Sequence, residues 1–121
     1  MKSSSLRLRI AAVSGFLGVA LGAFGAHALK EQLAEGGYLD TWKTAVLYHL
    51  VHGAVLLVLA LNSSARFHSA YWVVLSGMVI FCGSLYLLAL LGMSWMGAIT
   101  PIGGVALLAG WGLIFLQAGK R

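Results

Sequence analysis

Charge is the scarcest property of this chain. Among its 121 residues there are three Asp or Glu, one Pro and one Cys, and charged residues make up 9% of the whole. A soluble domain carries about 25% charged residues, so the composition excludes a water-covered globule. The lone Cys82 excludes an internal disulfide; inside an apolar run it reads as a small buried hydrophobe. What remains is apolar: 60% hydrophobic residues and a mean hydropathy of +0.93. Such a chain belongs in lipid, and its length allows one domain, residues 1–121, without a separate soluble module.

The net charge of +5 and pI near 9.8 would suggest nucleic acid in a soluble protein. Here the bases sit at segment ends, Lys2, Arg7 and Arg9 at one terminus and Lys120 and Arg121 at the other. That placement encodes topology and offers no basic face to phosphates, so no nucleic-acid partner is expected.

A helix needs roughly 20 apolar residues to cross about 30 Å of hydrocarbon. Ile10 to Leu29 and Thr44 to Ala65 each meet that length without a formal charge. From Phe67 to Gly119 there is no Asp, Glu, Lys or Arg at all, which is room for two helices and a turn. Gly92, Ser94, Gly97 and Pro101 mark the break. The expected spans are 10–29, 44–65, 69–91 and 98–116, folded as an all-α, up-down four-helix bundle. A rival reading of the first span is a secretory signal peptide with Ala26-His27-Ala28 as its cleavage site, but the apolar stretch exceeds the usual 7–15 residues.

Lys and Arg counts set the orientation. Six lie on the side of the two termini, counting Arg66, and two, Lys30 and Lys43, lie on the other. Both termini are therefore expected in the cytoplasm, with the chain a multi-pass protein of the cell (inner) membrane. The three acids, Glu31, Glu35 and Asp40, fall in the outer first loop. There Lys30–Glu35 continues the helical pattern of span one, Gly36-Gly37 is expected to stop it, and Asp40 to cap span two. Tyr38, Trp42, Tyr71, Trp72 and Trp95 sit at the depth of interfacial aromatics.

Span one carries Gly15, Gly18, Gly22 and Gly25 at offsets of 3, 4 and 3, which keeps them on one helical face. Gly18-x-x-x-Gly22 is a small-xxx-small pair, the pattern that lets two backbones approach in lipid. Gly77, Gly83 and Ser84 on span three, and Gly103, Gly104, Ala106 and Gly110 on span four, supply further flat surface. Packing within the bundle and a homo-oligomer interface are both open to the glycine face of span one.

Three of the four histidines fall toward the outer side. His27 is near the end of span one, and His49 and His52, at i and i+3, share a face of span two beside Tyr48. Span three brings Ser84 and Tyr86 to a similar depth, and span four Thr100 and Pro101. Polar groups in hydrocarbon are costly and need partners, so His27 and His52 are expected to be near neighbours, linked directly or through one polar group such as Tyr86 or Thr100. The cluster reads either as interhelical staples or as a site for a small molecule, lipid or proton; His68 reads as solvated. Metal or haem ligation finds no specific signature, and no Ser/His/Asp set appears, so no catalytic residue, metal or cofactor is expected.

The strings Leu21-Gly-Ala-Phe-Gly-Ala-His27, Tyr48-His-Leu-Val-His52, Gly83-Ser-Leu-Tyr86, Thr100-Pro-Ile-Gly-Gly104 and Leu108-Ala-Gly-Trp111 resemble the family called domain of unknown function 423. The resemblance covers nearly the whole chain. It implies the same four-span fold and no activity, and it carries over to His27, His52, Ser84, Tyr86, Thr100 and Pro101. Function is then expected to be non-enzymatic, a membrane protein in contact with lipids whose outer cluster stabilises the bundle or binds a small ligand or lipid. The alternatives are a small oligomeric transporter or channel, and a haem protein, which Soret absorbance would reveal. Reporter fusions at Lys2 and Arg121 should both read as cytoplasmic; an external signal from either contradicts the six-to-two split.

Overall fold

The computed structural model describes residues 2–62 and 64–119, with side chains from Ser4 onward. The Lys2 side chain, Lys120 and Arg121, half of the six bases on the terminal side, lie outside the described residues. Helix α1 spans Lys2–Ala26, a short α2 Lys30–Gly36, α3 Leu39–Leu61, α4 His68–Leu91 and α5 Met96–Ala118, with a single 3₁₀ turn at Ala65–Phe67 before α4. The four long helices are apolar enough to cross a membrane. At 1.5 Å per residue, 23 residues span about 35 Å.

The turns explain where the expected boundaries were off. Span one ends at Ala26 and not at Leu29, because the chain opens into a wide turn in which the Leu29 N–H reaches the Phe24 carbonyl at 2.8 Å. Helix α2 is thus a separate element. It stops where expected: Gly37 takes φ 79, its N–H donates to Ala34 and that of Tyr38 to Leu33. Only glycine enters that left-handed conformation without steric cost. Span two starts at Leu39, earlier than Thr44, and ends at Leu61, short of Ala65. Asp40 lies inside the first turn of α3 and does not cap it; Tyr38 holds the cap position without a side-chain bond. Gly92 ends α4 with φ 66, whereas Gly97 and Pro101 lie within α5 instead of breaking the chain.

Two glycine seams hold the bundle. A Cβ on Gly18 would come 2.7 Å from Leu50, one on Gly22 3.1 Å from Val46, and one on Gly25 would strike the Trp42 indole. These positions are where α3 lies against α1. Gly53 completes the seam from the α3 side, its missing Cβ 3.2 Å from Ser14 Oγ. Between α4 and α5 the contacts are closer: a Cβ on Gly77 would be 2.7 Å from the Leu107 nitrogen, on Gly103 2.7 Å from Phe81 Cα, and on Gly110 2.5 Å from Val74 Cγ2. Gly104 only grazes the Phe81 ring at 3.7 Å. Gly83 faces open space in the Cβ direction, so the packing role expected of it is not the arrangement found, whereas the Gly15 backbone lies on the α1–α3 seam, 3.7 Å from the Cβ position of Gly53.

Helices α3 and α4 form the centre, joined by Leu56, Leu59, Tyr71, Val74 and Met78. Helices α1 and α5 flank this pair: 22% and 17% of their apolar windows are buried, against 39% for the central two. The helix order across the bundle is α1, α3, α4, α5, and α1 meets α4 through side chains instead of backbone. Trp42 and Tyr71, expected at the interface, are 2% and 1% exposed. The reason is polar: each spends its donor on an α1 carbonyl, Trp42 Nε1–H on Leu21 at 2.9 Å and the Tyr71 hydroxyl on Arg7 at 2.7 Å.

Overpacking a close seam costs about 1–3 kcal/mol. Gly103→Leu should therefore lower the melting temperature in detergent by several degrees, while Gly112→Leu, with nothing within 4 Å of its Cβ position, should not. Equal melting of the two variants would contradict the seam.

Candidate functional site

The seam contacts set the depth of every polar group. Gly25 is level with Trp42, Gly22 with Val46, Gly18 with His49 and Leu50, and Ser14 with Gly53. His27 is therefore level with the start of α3, and His52 lies about 12 residues, or ~18 Å, further along it. His27 is exposed on the turn after α1 and joins no cluster. The expected His27–His52 neighbourhood is not formed, because α3 begins five residues earlier than expected and so carries His52 deeper.

His52 is buried and satisfied on both ring nitrogens. Its Nδ1–H donates to the Tyr48 carbonyl at 2.8 Å, and its Nε2 accepts from Trp111 Nε1–H at 3.1 Å. One donor and one acceptor fit a neutral imidazole and fix its tautomer. The Trp111 bond staples α3 to α5, and Tyr48 stacks over the His52 ring with centroids 6.0 Å apart. The ring has no valence left for a ligand.

Ser84 and Thr100 form a second staple, between α4 and α5. Their hydroxyls are 2.6 Å apart, with the Phe81 carbonyl 2.9 Å from Ser84 and the Met96 carbonyl 3.1 Å from Thr100. Two hydroxyl protons serve this chain in either direction, so neither is free.

His49 and Tyr86 are arranged differently. His49 Nδ1 and the Tyr86 hydroxyl are 2.9 Å apart, and Tyr86 is held edge-on against Trp42 with centroids 4.8 Å apart. His49 is 7% exposed and its ring faces the α1 backbone at Gly18. This pair lines an apolar groove of about 340 Å³ between α1 and α4, which runs from Ile10 and Leu75 past Ser14 and Cys82 to Gly83 and Tyr86. Across it Ser14 donates to the Met78 sulfur at 3.5 Å, a weak bond to a weak acceptor. A second groove, about 410 Å³, lies between α1 and α3 at the α2 end, with Lys30 and Lys43 at its mouth.

Of the six residues predicted for one site, the structure divides five among three contacts and leaves His27 outside. Sequence reasoning missed Ser14, Met78, Trp111 and Arg7 as polar partners. Trp111 stood in a recognisable string, but its one-turn match to His52 required the register of α3 against α5. Arg7 was read as a topology signal, yet it is 7% exposed, and its Nη1 donates to His68 Nδ1 at 2.8 Å. His68, read as solvated, is exposed but bonded.

Comparison with known proteins places these observations in a family. The profile described as "Protein of unknown function (DUF423)" matches residues 21–104, which include His49, His52, Ser84, Tyr86 and Thr100 but neither Arg7 nor Trp111. The UPF0382 membrane protein YwdK of Bacillus subtilis is 40% identical over 116 residues, covering 92% of this chain and 94% of the relative. A UPF0382 membrane protein of Staphylococcus epidermidis is 43% identical over 105 residues, covering 84% of this chain and 85% of its own. The UPF0382 inner membrane protein YgdD of Escherichia coli is 42% identical over 122 aligned positions, covering 96% and 91%. No solved structure matches.

Interhelical hydrogen bonds in membranes average about 0.6 kcal/mol and reach ~1.7. A double-mutant cycle of His52→Ala and Trp111→Phe should show a coupling in that range with both variants folded. Strict additivity of the two would remove the staple.

Proposed function

The chain belongs to the DUF423 family of membrane proteins, and we propose that it binds the acyl chain of a membrane lipid in the groove between α1 and α4. It is a multi-pass protein of the cell membrane, the inner one where there are two. The observation that carries the reading is the contrast among its polar contacts. His52, Ser84 and Thr100 are spent on holding helices together, whereas the His49–Tyr86 pair lies on the wall of an apolar cleft that faces lipid.

The dimensions suit a chain-like ligand. The groove volume is at the low end of the range for ligand pockets, about 300–1,000 Å³, and it extends from Leu75 to Tyr86, about 16 Å along α4. Gly83 supports the same reading. A mid-helix glycine costs roughly 1 kcal/mol against alanine, and this one serves no close helix contact. Its missing side chain deepens the groove beside Tyr86. The Tyr86 hydroxyl, with lone pairs beyond its bond to His49, offers a polar stop at the end of the cleft.

The reading involves no bond-making, and it sets both termini in the cytoplasm on the Lys and Arg count, so the Ile10 end of the groove opens to the cytoplasmic leaflet. Proton-coupled transport is less well supported: Asp40, the one acid on a spanning helix, is exposed in the first turn of α3.

Gly83→Leu should fill the groove without disturbing a seam. Native mass spectrometry of the protein released from lipid-doped micelles should show at least a tenfold drop in retained diacyl lipid, with the melting temperature within about 2 °C of wild type (an unfilled site tolerates added bulk better than a packed one). Undiminished lipid retention in a folded Gly83→Leu protein would dismiss the groove as a binding site.

A further inference from the structure

One turn beyond the groove, at the terminal face, lies a cation that no carboxylate side chain of the sequence can reach. Arg7 is 7% exposed, and its Nε is shut off from solvent with no hydrogen-bond partner among the described residues. The carboxylate side chains of the protein are Glu31 and Glu35 on α2 and Asp40 at the start of α3, all at the opposite end of the bundle. From Arg7 to the end of α1 is 19 residues, about 28 Å, so none of them can reach it. A buried charge without a counter-charge is strongly unfavourable.

The hydrogen bonds around Arg7 are also short of acceptors. Its Nη1 points at His68 Nδ1 at 2.8 Å, while Trp72 Nε1–H points at His68 Nε2 at 3.2 Å. A neutral imidazole accepts at one nitrogen only, so these two donors cannot both be satisfied by His68. The Tyr71 hydroxyl spends its proton on the Arg7 carbonyl, and its ring stands 5.9 Å from the guanidinium carbon, a cation–π contact that orients the group without neutralising it. The site therefore holds one positive charge, an orphan N–H and a surplus donor.

We propose that a phosphate oxyanion completes this site, docked on the guanidinium of Arg7 and the donor left over beside His68. Arginine presents paired N–H donors that match phosphate geometry. The source we favour is the headgroup of a phospholipid whose chain occupies the α1–α4 groove, and to that extent the inference rests on the function proposed above. Arg7 and Ile10 are three residues apart on α1, and Tyr71 and Leu75 four apart on α4, so the cation stands directly above the mouth of the groove. A phosphodiester there and a hydrocarbon chain running toward Gly83 belong to one molecule.

The test is competition, read by native mass spectrometry on the full chain in micelles holding equal amounts of dioleoylphosphatidylglycerol and dioleoylglycerol, which share their chains. Wild type should retain the phospholipid at least tenfold over the neutral lipid. Arg7→Gln should bring that ratio near one, and Arg7→Lys, which keeps the charge but loses the planar fork, should reduce it several-fold; Arg9→Gln, an exposed cation, should leave it unchanged. Equal retention of the two lipids by wild type, or an undiminished ratio in Arg7→Lys, would overturn the proposal, and neither depends on Arg7→Gln folding. In lipid-stripped protein, 10 mM inorganic phosphate should leave the melting temperature unchanged if the headgroup is the source. A rise seen in wild type and absent in Arg7→Lys would assign the same site to free phosphate. Gly83→Leu separates the two readings: if only the groove reading fails, this variant keeps both the amount and the preference of bound phospholipid.

Discussion

Backbone approach at glycine fixes the distances from which everything else in this bundle follows. In lipid there is no hydrophobic drive between helices, so contact area and close packing decide which surfaces meet. Gly18, Gly22, Gly25 and Gly53 bring α1 against α3, and Gly77, Gly103 and Gly110 bring α5 against α4. The two pairs then join through larger side chains, among them Leu56, Tyr71, Val74 and Met78. A bundle made of two tight pairs and one looser central seam leaves α1 standing off α4. The groove is the geometric remainder of where the glycines are.

The polar side chains sort by the same geometry. Within the two tight pairs donors and acceptors match one to one, Trp42 with the Leu21 carbonyl and Ser84 with Thr100, and Trp111 matches His52 across the non-adjacent α3 and α5. These bonds place three helix pairs in register, and none has capacity to spare. Along the gap between α1 and α4 the matching loosens. His49 and Tyr86 pair with each other on the wall of the cleft, Ser14 has only a thioether to donate to, and Arg7 has a donor surplus. Polar groups in hydrocarbon are normally satisfied by protein or by whatever fills the cavity they line. Ser14 and Arg7, under-satisfied along one cleft, are groups that a bound amphiphile would complete.

Most of the fold was legible because the signals were long. Twenty uncharged residues before Lys30 and the uncharged run from Phe67 to Gly119 admit few readings other than spans. Boundaries were less legible, since α3 takes Asp40 and Lys43 into its first turns at the membrane edge, where charge is tolerated and a count of apolar residues stops too soon. That error moved His52 relative to His27 and produced a single expected site where there are three separate contacts. The residue types were the right ones; His49, His52, Ser84, Tyr86 and Thr100 all take part in interhelical bonds. What the sequence could not carry was register between helices. Ser14 opposite Met78, Trp111 opposite His52 and Arg7 opposite Tyr71 are meetings across 59 to 64 residues of chain. Arg7 was hidden for another reason: a base near a terminus already had an explanation in topology.

The account stands on one claim, that the space between α1 and α4 holds a lipid chain. It can be examined directly in nanodiscs by measuring nuclear Overhauser contacts from protonated acyl chains to the amides of otherwise deuterated protein. The Gly83 amide should show a contact to chain methylenes at least as strong as that of Val58, which is 67% exposed on the outer surface of α3, while the Gly77 amide, sealed against α5, should show none. A contact at Val58 with silence at Gly83 would mean the groove is closed or empty in the bilayer, and the account would be wrong.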